Sequence, residues 1–293
     1  MKIESACFPR ITATAFAALL VVPFALCAAL MAAPSCARAA EGTAATADAG
    51  ASALAKQLSN PVASLISVPF QLNWDSGVGP DNDTRFLINF QPVMPFSISK
   101  DWNFIARTIV PIVSQPTPSA SSDGTATFGI SDILFSGFFS PAVPKGLIWG
   151  VGPVLMLPTT ADPYLGTEKW GAGPTVLLLK QTGPWTLGLL ANQVWSFAGD
   201  DKRPDVNQSF VQPFIAYAKP NGVTYNVNTE SAANWEAASG QEWTVPINFT
   251  VSKIVKLGKK PMSIGGTYGF YAQSPDGGPE WKLRTTLTLL FPK

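Results

Sequence analysis

Beyond residue 60, apolar and polar side chains alternate one by one, and the alternation returns at intervals to the C-terminal end. Ile66, Val68, Phe70, Leu72 and Trp74 stand between Ser67, Pro69, Gln71 and Asn73. Trp243, Val245, Ile247, Phe249 and Val251 oppose Glu242, Thr244, Asn248, Thr250 and Ser252 in the same way. A period of two puts the two kinds of side chain on opposite faces of an extended strand. Twelve such runs are visible, with apolar faces spanning 66–74, 86–94, 104–112, 133–139, 149–157, 170–178, 187–191, 211–217, 223–227, 243–251, 262–270 and 281–291. Most predict strands of about 10 to 13 residues. Soluble strands average roughly 5 to 6 residues, whereas a tilted strand crossing a bilayer needs about 9 to 11. The pattern predicts an all-β fold: a transmembrane antiparallel up-and-down β-barrel of about 12 strands. Its aromatic and aliphatic face meets lipid and its polar face lines the lumen.

The connections point the same way. Five short turns are expected at Ser99-Lys100-Asp101, Pro141 to Gly146, Gln181 to Pro184, Lys219 to Gly222 and Gly258 to Pro261. They alternate with six longer links at 75–84, 114–127, 159–168, 198–206, 231–240 and 273–280. An even-stranded barrel with both termini on one side has this short-long rhythm. The long links collect acids (Asp75, Asp81, Asp83, Asp123, Asp162, Asp200, Asp201, Asp205, Glu236, Asp276). The short turns collect lysines (Lys100, Lys145, Lys180, Lys219, Lys256, Lys259, Lys260). Trp74, Trp102, Trp149, Trp170, Trp185, Trp195, Trp243 and Trp281 sit at strand margins, where an amphipathic ring suits the headgroup level. Pro69, Pro92, Pro111, Pro153, Pro174, Pro213 and Pro246 fall within strands. Each lacks a ladder donor, so each is expected to bring a bulge or a lost hydrogen bond.

The candidate lumen-lining residues are the charges of the polar face, Arg107, Asp132, Lys169, Glu242, Lys282 and Arg284, together with Asn226 and Asn228. Small residues on that face (Gly150, Gly152, Gly171, Gly173, Gly265, Gly269) would leave space between them. The same charges could instead pair inside the barrel and close it.

Composition narrows the chemistry. Charged residues are 13% and hydrophobic residues 46%, which argues against disorder. The 26 prolines argue against a helical bundle. Histidine is absent, which removes Ser-His-Asp and Cys-His catalysis and any His-containing zinc site. No catalytic residue, cofactor or metal is expected. Acid pairs such as Asp200/Asp201 and Asp81/Asp83 read as solvated loops or as cation bridges to lipopolysaccharide.

All three cysteines, Cys7, Cys27 and Cys36, fall in a segment that reads as a signal peptide over residues 1–39. Lys2 and Arg10 precede an uncharged run from Ile11 to Cys36, and Ala37-Arg38-Ala39 supplies a small-x-small cleavage pattern. The same run is long enough to span a bilayer as an uncleaved anchor. Removing Lys2, Arg10, Arg38 and Glu4 from 20 basic and 19 acidic residues leaves a net charge of −1, so nothing electrostatic favours nucleic acid. Residues 40–61 follow as a flexible periplasmic leader or a short plug helix, and 62–293 form the barrel.

Gly129-Ile130-Ser131-Asp132, Phe138-Phe139-Ser140-Pro141, Trp149-Gly150-Val151-Gly152-Pro153 and Leu157-Pro158-Thr159 form a connected set of short motifs. Trp170-Gly171-Ala172-Gly173-Pro174, Val194-Trp195-Ser196-Phe197-Ala198-Gly199, Gln212-Pro213-Phe214, Pro279-Glu280-Trp281 and the terminal Leu289-Leu290-Phe291-Pro292-Lys293 extend it. Over roughly residues 55–293 this set resembles the bacterial outer-membrane family named for the MetA pathway of phenol degradation, whose members are often labelled transporters. The resemblance implies a Gram-negative outer-membrane barrel that takes up aromatic or other small compounds, and it brings no catalytic residues. The expected function is a porin-like channel for passive uptake of small, aromatic or hydrophobic compounds. Its partners would be outer-membrane lipid, lipopolysaccharide, a small-molecule solute and the barrel-insertion machinery. A closed structural or adhesive barrel without transport and a soluble exported β-sandwich remain open alternatives.

Overall fold

The structure is a computed structural model that describes residues 41–116, 126–258 and 260–292. The expected signal peptide with its three cysteines, Asp123, Lys259 and Lys293 lie outside the described residues. Among the described residues one helix, α1 (Glu41–Leu58), precedes fifteen strand segments. These are β1 (Ile66–Val78), β2 (Asp83–Phe90), β3 (Val93–Ser97), β4 (Trp102–Pro116), β5 (Ala126–Ile130), β6 (Ile133–Pro141), β7 (Leu147–Leu157) and β8 (Lys169–Thr182). They continue as β9 (Trp185–Gly199), β10 (Asn207–Ala218), β11 (Val223–Thr229), β12 (Ser231–Asn234), β13 (Trp243–Leu257), β14 (Lys260–Gln273) and β15 (Trp281–Phe291).

Three pairs of segments are single strands with a local break: β2 and β3 at Gln91-Pro92, β5 and β6 at Ser131-Asp132, and β11 and β12 at Glu230. Counted so, twelve antiparallel strands follow one another around the sheet. The ladder from Ile66↔Phe291 to Ser76↔Trp281 joins the first strand to the last and closes the barrel. Closure leaves no strand edge, which a backbone surrounded by hydrocarbon requires.

The alternation sets the two faces. Leu147, Leu187, Phe197, Tyr225, Phe249, Tyr268 and Phe291 are exposed on the outside, Phe197 by 67%. Asn73, Asn103, Ser136, Thr175, Thr224, Asn248, Ser263, Thr267, Arg284 and Thr288 are buried on the inside. An apolar sheath of this extent suits lipid and not water. Aromatic pairs stand at both rims. Trp102–Trp149 (5.7 Å between centroids) and Trp185–Tyr217 (4.8 Å) mark the short-turn end. Trp235–Trp243 (5.8 Å) and Trp74–Phe86 (6.4 Å) mark the loop end.

The strand prolines divide into two groups. Pro92 interrupts its strand, and a register shift falls between Val245 and Pro246. Pro153 faces Pro174 across β7 and β8, and the partner ladder on the other side of each has a gap there. Pro69, Pro111 and Pro213 hold register on one side, and on the other each faces a break in the ladder, at β2–β3, β5–β6 and β11–β12. The link expected at 75–84 shrinks to residues 79–82, because β1 continues to Val78. Residues 231–234, expected in a link, extend the strand as β12 between β10 and β13.

The interior has two unlike halves. On the β4 to β9 side apolar side chains take many of the inward positions. Ile105, Phe138, Leu177, Leu179 and Leu190 form a dry cluster completed by Val62 from the segment after α1. Val154, Met156, Val194 and Val206 form a second cluster toward the loops. The glycines there open no space. A Cβ on Gly152 would lie 1.9 Å from the Gly137 carbonyl oxygen, and one on Gly173 would lie 1.8 Å from that of Gln193. Gly150 and Gly171 would press on Val62 and Val194. These residues let neighbouring strands and the plug pack closely.

Helix α1 enters the mouth at the short-turn end. Ala51, Leu54, Ala55 and Leu58 recur at helical spacing and form its apolar stripe. The stripe packs on Ala218 of β10, Ile254 of β13 and Leu290 of β15, with Leu65 beside it. The helix stops before Pro61, where Ser59 Oγ donates to the Ala55 carbonyl (3.0 Å) and the Val62 N–H donates to Asn60 Oδ1 (3.1 Å). The Lys56 carbonyl, unpaired by the helix itself, accepts from Gln181 Nε2 of β8 (2.9 Å).

Candidate functional site

The other half of the interior, walled by β1, β3, β4, β9 to β11 and β13 to β15, is mainly polar and holds a cavity of about 300 Å³. Inward positions on these strands alternate with lipid-facing ones, so each strand contributes one side chain every second residue. Asn226, Asn228 and Glu230 line the cavity from one strand, Thr250 and Ser252 from β13, and Ser263 and Thr267 from β14. Arg284, Thr286 and Thr288 come from β15, Gln71 from β1, and Arg107 from β4. Leu58, Pro61, Leu65, Val93 and Leu190 add apolar surface to the lining, Val93 directly beside Arg107 across the β3–β4 pair.

Glu230 organises the charges. It breaks its strand between β11 and β12, where it keeps the inward parity of Asn226 and Asn228. Arg284 grips it with two parallel bonds, Nη1 to Oε1 (2.7 Å) and Nη2 to Oε2 (2.8 Å), the strong fork geometry of this pair. Lys282 Nζ adds a third contact to Oε2 at 2.9 Å. The Arg284 Nε–H donates to Asn73 Oδ1, and Asn73 Nδ2 donates to the Leu87 carbonyl (3.0 Å). The cluster therefore ties β15 to β1 and, through Glu230, to the β11–β12 strand.

Three further clusters flank it. Asp75, expected in a loop, is buried on β1. There it accepts from Arg85 Nη2 (2.8 Å) and from the Tyr271 hydroxyl (3.1 Å). Arg107 Nη2 donates to Gln91 Oε1 (3.2 Å), and Gln91 Nε2 donates to Gln71 Oε1 (3.1 Å). Asn248 Nδ2 donates to Asn228 Oδ1 (2.9 Å), and Asn228 Nδ2 to Asn226 Oδ1 (2.7 Å).

Of the residues selected from sequence, Arg107, Asn226, Asn228 and Arg284 surround this cavity, and Lys282 joins it through Glu230. Asp132, Lys169 and Glu242 stand at the loop end. Asp132 Oδ2 accepts from the backbone N–H and the hydroxyl of Thr167. Lys169 pairs with Asp205 at 3.2 Å, and this contact holds the exposed Asp205 carboxyl below the usual carboxylate range. Glu242 Oε2 accepts from the Gly240 N–H (2.9 Å). These three hold the loops against the barrel rim.

Sequence reasoning missed Glu230 and Asp75. Glu230 sits two residues beyond Asn228 on the same parity, so extending the alternation by one step would have included it. Asp75 likewise continues Ser67, Pro69, Gln71 and Asn73.

No protein-family description matches the sequence, and no curated protein matches it. Its fold is similar to solved structures. The COG4313 outer membrane channel from Pseudomonas putida F1 superposes with a TM-score of 0.60 at 14% identity, covering 78% of this chain and 94% of that chain. The NanC porin superposes with a TM-score of 0.51 at 10% identity, covering 78% of this chain and 100% of that chain. At these identities the likeness establishes a shared fold, that of outer-membrane barrels.

Proposed function

We propose that the chain is an outer-membrane channel for passive entry of small compounds, aromatic or hydrophobic molecules among them. The observation that carries this reading is the two-faced cavity inside a closed, lipid-sheathed barrel. Part of its lining offers amides, hydroxyls and charge, and part offers Leu58, Pro61, Leu65, Val93 and Leu190. At about 300 Å³ the cavity falls at the lower end of small-ligand sites. The similarity to two solved barrels described as a channel and a porin supports the reading. Solute, outer-membrane lipid and lipopolysaccharide are the partners proposed, and no catalysis is assigned.

A second reading has its own support. Helix α1 fills the mouth at the short-turn end, and the Glu230 cluster binds three strands together within the lumen. A structural barrel closed at both points would pass no solute. Refolded protein in planar bilayers and in solute-loaded liposomes separates the two. The channel reading expects discrete current steps and solute-dependent swelling; silence in both assays overturns it in favour of the closed barrel.

A further inference from the structure

Arg107 differs from every other cation of the polar half. Arg284 and Lys282 share Glu230, and Arg85 has Asp75. Among the described residues Arg107 has no carboxylate within ion-pair distance, and its one hydrogen bond goes to the neutral amide oxygen of Gln91. A guanidinium carries a fork of N–H donors, so most of that fork is uncommitted where it lines the cavity. Taking a cation out of bulk water without a counter-charge is costly, and an anion placed against it offsets that cost. The one carboxylate of the cavity wall, Glu230, is already held by three bonds. Counting Lys282 behind it, three cations face one carboxylate, so the site has room for negative charge.

The shape of the anion follows from the apolar part of the lining, where Val93 lies directly beside Arg107 across the β3–β4 pair. Leu58, Pro61, Leu65, Val93 and Leu190 offer an apolar surface to whatever Arg107 holds. A planar carboxylate matches the guanidinium fork in two parallel bonds, and an apolar body extending from it would meet that surface. We infer that Arg107 forms a binding subsite for a small organic monocarboxylate with an apolar body, its carboxylate on the guanidinium and its body on the Leu58–Leu190 wall. This deepens the channel reading and rests on it for the solute's route, but binding itself is measurable without any current.

The test is calorimetric titration of the refolded chain in detergent, with empty-micelle blanks, using sodium benzoate, benzyl alcohol and inorganic phosphate as probes. Benzoate is expected to bind at least about tenfold tighter than benzyl alcohol, as a charge-assisted pair outweighs a neutral one. In Arg107→Gln the ratio should collapse to within about twofold, and Arg107→Lys should retain part of it. Equal binding of benzoate and benzyl alcohol overturns the subsite. So does an unchanged ratio in Arg107→Gln, and so does phosphate displacing benzoate at equal concentration. Should the glutamine variant fail to refold, the wild-type ratio and the lysine variant decide the matter. Bilayer recordings run in parallel separate the two readings. Benzoate discrimination without current removes the channel and keeps the subsite, whereas current without discrimination removes the subsite alone.

Discussion

Replacing Glu230 with glutamine keeps the size of the side chain and removes its charge, leaving Lys282 and Arg284 inside the barrel without their carboxylate. Three contacts of 2.7, 2.8 and 2.9 Å are weakened together. Breaking a buried pair by removing one partner costs about 3 to 5 kcal/mol, most of it from the charge left behind. Two features place the cost at the lower end. The Glu230 side chain is 21% exposed, so cavity water reaches it, and Arg284 retains its bond to Asn73. Lys282, at 4% side-chain exposure, keeps only the face of the Tyr271 ring, 5.7 Å from its ammonium. The expected loss is about 3 kcal/mol. It is read from urea unfolding of the refolded barrel, followed by tryptophan fluorescence and by the heat-dependent mobility shift on gels. Adding Lys282→Met to Glu230→Gln removes the stranded charge and should recover about half of the loss, a coupling visible in a double-mutant cycle. A single variant within about 0.5 kcal/mol of wild type, or a double variant no better than the single, refutes the view that buried charge pairing at Glu230 ties these strands together.

Gly173→Ala places a Cβ 1.8 Å from a backbone oxygen, and as backbone cannot swing aside like a side chain, it should cost about 1 to 3 kcal/mol and reduce the folded fraction in the mobility-shift assay. Ala55→Arg puts a charge into the contact between α1 and Ala218, Ile254 and Leu290; the helix should leave its seat, and single-channel conductance should rise at least about twofold because the mouth is cleared. Acidification acts on the Lys169–Asp205 contact: a carboxyl held below its usual value when folded stabilises above its unfolded pKa and ceases to do so as pH falls through the folded one. Limited proteolysis at residues 200–206 should therefore stay slow at neutral pH and accelerate below about pH 4, and Asp205→Asn should show the faster cleavage already at pH 7.

The strands were legible because lipid and lumen impose opposite polarity on neighbouring positions, and that demand is written residue by residue. It fails where both faces are apolar. Val176-Leu177-Leu178-Leu179 has no alternation, so nothing in it shows that Leu177 and Leu179 belong to a dry cluster inside the barrel. Gly265 does line the cavity, but Gly150, Gly152, Gly171 and Gly173 misled for a related reason: composition shows a missing side chain but not what fills the place, and Val62, Val194 and two backbone carbonyls fill it. Links were misjudged where a polar run was equated with a loop. Asp75 and Glu230 are polar because they face the lumen and find partners 10 to 196 and 52 to 54 residues away, and such long-range pairing leaves no local trace. Arg107 was recognisable as an inward charge, but its lack of an acidic partner became visible only once the strands were placed side by side.

Helix α1 is the earliest described element of the chain, yet its seat is made by β10, β13 and β15, and the tether from Leu58 to β1 is only residues 59–65. What is synthesised first thus finds its resting place last. A newly exported polypeptide carries the helix ahead of strands that do not yet exist as a cylinder, and the seam that finishes the cylinder unites the strand attached to the helix with the one whose Leu290 receives it. Assembly must therefore bring β15 to β1 before the seat is whole, and removal of β15 would dislodge an element more than two hundred residues upstream.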